Sequence, residues 1–150
     1  MKRLSRAIAL ASTLFVDVTD RGGKPYILHC LTVMNKVSHL GEIAMISGVL
    51  HDVIEDTHYT AKMLMDAGFT KEEIDIVLLL SKPDDMDYED FITRLIESGN
   101  KTAIKIKMAD IEHNSDITRL KGVRDKDFER IKKYNKSYLR LKRALAELKC

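Results

Sequence analysis

Only seven glycines and two prolines interrupt these 150 residues. A chain so poor in breakers favours long helices over a turn-rich β fold. Ile8, Leu10, Ala11, Leu14 and Phe15 recur at helical spacing and predict a first helix over 3–16. "TDRGGKPYI" follows, and Gly22, Gly23 and Pro25 make it a loop. A second helix is expected to start near His29 and to end at "SHLG", with Gly41 as its cap. The third, Glu42 to Val53, is apolar almost all round, which marks a helix at the centre of a fold.

A short helix is expected over 60–67. Thr70 and Glu73 have the spacing of a capping box and open a helix that stops near Ser81, before Lys82-Pro83. Helices over 88–98, through "TAIKIKMADIEHN" and from Lys126 to Leu148 complete the chain. "AIKIKM" alternates and invites misreading as a strand, but its surroundings are helical. The expectation is a single all-α domain over 1–150, a bundle of seven or eight helices.

Composition adds limits. At 45% apolar and 32% charged, the chain reads as a soluble globular domain. The N-terminus is basic and then apolar, but Asp17 and Asp20 follow at once and secretion is not expected. No apolar run approaches the ~18 residues of a membrane span. Cys30 and Cys150 match no metal or disulfide spacing, so no bridge is expected and a cytoplasmic location fits. From Arg119 onward the net charge is +8, against −6 for the rest. A basic end of this kind attracts an anionic ligand or is simply a solvated helix face.

The chemistry concentrates in "GVLHDVIEDT", residues 48–57. An apolar helix end runs into His51, Asp52, Glu55 and Asp56. Glu55 lies four after His51 and three after Asp52, and Asp56 four after Asp52, so a continuing helix gathers all four on one side. Buried acids and imidazoles without a counter-charge are costly. A divalent cation removes that cost, and these ligand types suit Zn, Mn or Fe(II). His29 after "YIL" and Asp110 in "IKMADIEHN" are candidates to complete the shell, with His113 and Asn114 three and four residues after Asp110. Against this, Glu55 and Asp56 could be exposed acids past a helix end. His39 and His58 have no evident partner and read as surface histidines.

An isolated His, an adjacent His-Asp and a distant Asp form a pattern that resembles the HD-domain phosphohydrolases. "GKPYILH", "LHDVIEDT" and "IKMADIEHN" are similar to the hydrolase domain of the RelA/SpoT family, most like the free-standing small alarmone hydrolases. The likeness runs from about Ala7 to Leu145, and no synthetase domain is expected. The resemblance implies that His29, His51, Asp52 and Asp110 hold one metal, Mn(2+). It assigns Glu55 and Asp56 to water activation and proton transfer, and places Asn114 and Tyr134 against the nucleotide. Arg21 or Lys24 would flank the guanine. The implied reaction is removal of the 3′-pyrophosphate from guanosine tetra- or pentaphosphate.

Two departures touch the base pocket: "STLFVDV" stands where the family carries an Ala-His-x-Gly-Gln type run, and the "DRGGKPY" loop is shorter than in several relatives. The rival readings are an HD-domain nucleotidase acting on another nucleotide, and a catalytically silent nucleotide- or nucleic-acid-binding module. The expected partner is a small-molecule nucleotide, not a membrane or a nucleic acid. Homo-oligomerisation is left open by the sequence.

Overall fold

A computed structural model of the protein describes residues 2–148. Cys150, for which no bridge is expected, lies outside the described residues, as do Met1 and Lys149. Among the described residues the regular elements are helical: α1 (Lys2–Leu14), α2 (Ile27–Lys36), α3 (Glu42–Val49), α4 (Val53–Asp56), α5 (Ala61–Asp66), α6 (Lys71–Leu79), α7 (Tyr88–Glu97), α8 (Lys101–Asn114) and α9 (Asp125–Leu148). α4 is a single turn. Two 3₁₀ turns, Ser38–Leu40 and Ile117–Arg119, lie between longer helices. An isolated bridge between Thr19 and Pro25 closes the base of the 20–24 loop.

The all-round apolar α3 is the centre of the fold, packing against α1, α2, α6 and α8. Ala44, Ile46, Val49 and Leu50 are all buried. Gly48 lets α2 come close: a Cβ there would lie 3.3 Å from Met34 Cα and 3.3 Å from Val37 Cγ2. One core cluster joins Leu4, Ala7, Ala11 and Phe15 of the first segment to Cys30, Ile46, Leu50 and Val77. The other joins Phe91, Ile92 and Leu95 of α7 to Ile104, Ile106 and Ile111 of α8 and to Leu141 of α9. Burying such side chains contributes about 1.5–3 kcal/mol each before entropy is set against it.

The capping box is present in full: Thr70 Oγ1 accepts from Glu73 N, and Glu73 Oε1 accepts from Thr70 N. "AIKIKM" is helical within α8. Two boundaries differ from expectation. Gly41 does not end α2, which stops at Lys36. It stands before α3 with φ 99, a conformation that suits a residue without Cβ, after the Ser38–Leu40 turn has reversed the chain.

The third helix does not run to Val53. It ends at Val49, and the chain turns a corner through Leu50–Asp52 before α4 restarts it. The pattern showed no breaker there, because the interruption comes from side chains competing for the backbone. His51 Nδ1 lies 2.7 Å from the Gly48 carbonyl, an oxygen that a continued helix would give to the amide of residue 52. No described helix is long and apolar enough to cross a membrane.

Candidate metal centre

The corner puts His51 and Asp52 to use together. Successive side chains on an uninterrupted helix diverge by about 100°. Here His51 Nε2 lies 3.0 Å from Asp52 Oδ2 and 3.3 Å from Asp110 Oδ1. His29, in the first turn of α2, brings Nε2 to 2.9 Å from Asp110 Oδ1 and 3.8 Å from Asp52 Oδ2. Asp110 reaches in from α8. Ligand atoms of His29, His51, Asp52 and Asp110 all lie within 4.8 Å of one another. His29, His51 and Asp110 are buried, and the Asp52 side chain is 13% exposed.

A divalent cation fits this donor set. Because His51 Nδ1 can only donate to the Gly48 carbonyl, a neutral His51 directs its Nε2 lone pair at two carboxylates. That buried Nε2 makes no well-formed hydrogen bond, although both carboxylates come within 3.3 Å of it. Burial opposes charging His51, but Asp52 and Asp110 outweigh it and raise its pKa well above the usual value. Burial likewise pushes Asp110 up, and Lys107 with the two imidazoles pulls it well below the carboxylate range. The cluster demands positive charge at its centre.

Groups around the four residues hold them in place. Tyr26 donates its hydroxyl to Asp52, and burial and that carboxylate together raise the Tyr26 pKa. Lys107 Nζ lies 2.8 Å from Asp110 Oδ2. Asn114 Nδ2 donates to Asp110 Oδ1 at 3.0 Å, and His113 Nδ1 meets His29 Nδ1 at 2.8 Å. Burial, with Arg119 beside it, lowers the His113 pKa to about 4. The sequence alone marks no role for Tyr26, Lys107 or Arg119. Lys107 comes nearest to one, since it precedes Asp110 by one helical turn. Tyr26 and Arg119 had no comparable signal.

The acid pair divides. Glu55 accepts from the backbone amide of Lys82 at 2.6 Å. Burial, then the nearby Asp52 charge, raise its pKa, while the Lys82 amide pulls the other way. Asp56 faces a cavity of about 460 Å³, which Arg21, Asn114 and Tyr134 also line. Burial, Asp52 and Glu55 push its pKa up to about 6. Both residues are nonetheless exposed to water, as acids past a helix end would be.

Lys24 does not line the cavity. Its amide donates to Asp20 Oδ1, and its side chain is exposed. Arg119 ties the cavity wall together, reaching Asp20 Oδ2 at 3.1 Å, Asn114 Oδ1 at 3.2 Å and the His113 carbonyl at 2.8 Å. Gly22 makes that approach feasible, because a Cβ there would sit 2.2 Å from the Arg119 carbonyl oxygen. Tyr134 is half-buried, with its ring 6.3 Å from that of Tyr88. His39 and His58 are exposed and outside the cluster.

No family model matches the chain. Individual proteins do. It is 31% identical over 123 residues to the probable GTP pyrophosphokinase of Mycobacterium leprae, a stretch covering 74% of this chain and 15% of that protein. It is 33% identical over 103 residues to the guanosine-3′,5′-bis(diphosphate) 3′-pyrophosphohydrolase of Haemophilus influenzae, covering 61% of this chain and 15% of that protein. Against the bifunctional (p)ppGpp synthase/hydrolase SpoT of Escherichia coli K12 it is 31% identical over 125 residues, 76% and 18% of the two chains. The matched stretches are thus less than a fifth of these relatives' length. Among solved structures, one described as a metazoan ortholog of SpoT that hydrolyzes ppGpp superposes with a TM-score of 0.77 at 17% identity, covering 99% of this chain and 94% of that one. That likeness extends the shared fold over nearly the whole of both chains.

Proposed function

Because this chain belongs to the RelA/SpoT family of HD-domain proteins, we propose that it is a metal-dependent hydrolase that removes the 3′-pyrophosphate from guanosine tetra- or pentaphosphate. In this reading the 150 residues form one HD hydrolase domain, working in the cytoplasm on a small nucleotide. The observation that carries it is the convergence of three things. A four-residue His/Asp cluster lies next to a cavity of nucleotide dimensions, linked to it by Tyr26 and Asn114, which bond Asp52 and Asp110 and line its wall, and Asp56, a carboxyl group with a raised pKa, lines the same cavity.

His29, His51, Asp52 and Asp110 would hold the cation, Mn(2+) in this proposal. When bound, the cation supplies Lewis acidity, making water a better nucleophile and offsetting phosphoryl charge. Hydrolysis breaks the bond between phosphorus and the ribose 3′ oxygen. Water's oxygen goes to phosphorus, and the departing ribose oxygen takes a proton. Asp56 is positioned to handle protons, because it faces the cavity and its pKa near 6 populates both forms around neutrality. Glu55, fixed by the Lys82 amide, orients the attacking water. Tyr134, Asn114 and Arg21 line the space for base and sugar. Lys24, on the same loop, contributes charge at its outer edge.

One observation favours a second reading, hydrolysis of a different nucleotide by the same centre. Phe15 and Val18, from the divergent "STLFVDV" segment, form an apolar stretch of the cavity wall. The deciding experiment loads the protein with Mn(2+) and incubates it with guanosine tetraphosphate beside a panel of other nucleotides. Release of pyrophosphate and GDP from the tetraphosphate supports the first reading. Turnover confined to another nucleotide overturns it in favour of the second.

A further inference from the structure

His113 meets His29 in an arrangement the proposed reaction does not by itself require. The two Nδ1 atoms are 2.8 Å apart, a hydrogen-bond separation. The ring centroids are 5.0 Å apart and the ring planes differ by 11°. So short a contact between nitrogens, with centroids so far apart and planes so nearly parallel, places the rings edge to edge with the bond in their shared plane. A nitrogen–nitrogen bond needs one proton, carried by one of the two rings. His29 Nε2 faces Asp110 and Asp52, where the cation would sit. A neutral imidazole coordinates through a nitrogen that carries no proton.

We infer that His113 is the positioning residue for His29: it accepts the His29 Nδ1 proton at its own Nδ1, and so fixes the tautomer that leaves His29 Nε2 free for the metal. Histidine ligands ordinarily donate their second ring proton to a carboxylate, a carbonyl or water. Here a second imidazole does that work and adds no charge to a centre that already holds two carboxylates and Lys107. Helix α8 therefore supplies both Asp110 and, one turn later, the group that orients the ligand opposite. The His113 backbone is itself anchored, since its carbonyl accepts from Arg119 Nη1 at 2.8 Å.

The inference rests on the metal reading above, and zinc, which is diamagnetic and accepts these ligands, tests the two separately. In the zinc-loaded wild-type protein, ¹⁵N spectra of the histidine rings should show His29 protonated at Nδ1 and metal-bound at Nε2. His113 should be protonated at Nε2, with its unprotonated Nδ1 coupled across the hydrogen bond. His113→Leu, which has no acceptor, should weaken zinc binding by about 10- to 100-fold. His113→Asn, whose Oδ1 reaches nearly the same point, should keep most of the affinity. Failure of the wild type to bind zinc overturns the metal reading and this inference with it. Normal zinc binding with the proton on His113 Nδ1, or equal losses in the Leu and Asn variants, overturns this inference alone.

Discussion

Lys107 Nζ and Asp110 Oδ2 form a 2.8 Å ion pair in which the lysine side chain is 13% exposed and the carboxylate 7%. Asp110 thereby turns its other oxygen toward His29 and His51. Removing Lys107 takes away the largest compensating charge on this buried carboxylate and leaves it to the two imidazoles. Lys107→Met should therefore destabilise the metal-free protein by about 3 kcal/mol. Saturating Mn(2+) should recover part of that, because a cation then faces the same carboxylate. Urea midpoints with and without metal provide the check, and identical losses in the two conditions would refute it.

His51→Ala and Asp52→Ala should each strip the metal. Each deletes a donor, and the first also removes the His51–Gly48 bond at the corner between α3 and α4. Metal content after dialysis should fall to background while the helical circular dichroism persists, since the remaining acids can relieve their repulsion by taking up protons. Full occupancy in either variant contradicts the ligand set.

Changing Glu55 to Gln and Asp56 to Asn together should leave metal content intact and slow turnover by roughly 100-fold or more. The capping box at Thr70 and the inward placement of Asp110 were legible in the sequence, whereas the continuous helix expected to gather this pair with His51 and Asp52 is broken after Val49. The two legible features are local, set by residues within one helical turn of one another. The corner at Leu50–Asp52 was not legible, because it depends on a histidine bonding backwards to a carbonyl in a segment that otherwise reads as helix. Nor was the pairing of Tyr26 with Asp52, of His113 with His29 or of Arg119 with Asp20. Those partners are separated by 26, 84 and 99 positions and meet only after the helices pack. Arg21 and Lys24 looked equivalent in sequence, yet only Arg21 lines the cavity.

Asp56 also gives a pH signature in the metal-free protein. Its pKa is about 6 when folded and near 3.9 when unfolded. A carboxyl raised by folding holds its proton more tightly in the native state. Its favourable contribution is complete below the unfolded value, declines as pH rises through 4 to 6, and is gone above. Wild type should therefore lose melting temperature relative to Asp56→Asn between pH 4 and 7. A gap between the two proteins that stays constant over that range would contradict the raised pKa.

Tyr134→Ala should raise KM by up to about tenfold, the scale of an aromatic contact, with a smaller effect on kcat. Gly22→Ala should act on the same parameter by a different route. Its Cβ would force the loop off the Arg119 carbonyl and break the Asp20–Arg119 pair. Steady-state kinetics and melting curves on the same samples separate a lost contact from a lost fold. An unchanged KM in both variants would remove the cavity from the nucleotide's path.

The corner after Val49 has a consequence for portability. A His-Asp dipeptide grafted onto an uninterrupted helix would send its two side chains to different faces, and no choice of neighbouring ligands would bring them back to one ion. The transferable unit is longer than the dipeptide: it begins at Gly48, whose carbonyl captures the imidazole, and runs to Val53, where the helix resumes. Deleting Leu50 from that hexamer would rotate α4 by nearly a third of a turn and carry Asp56 away from the cavity while leaving every ligand present in the sequence.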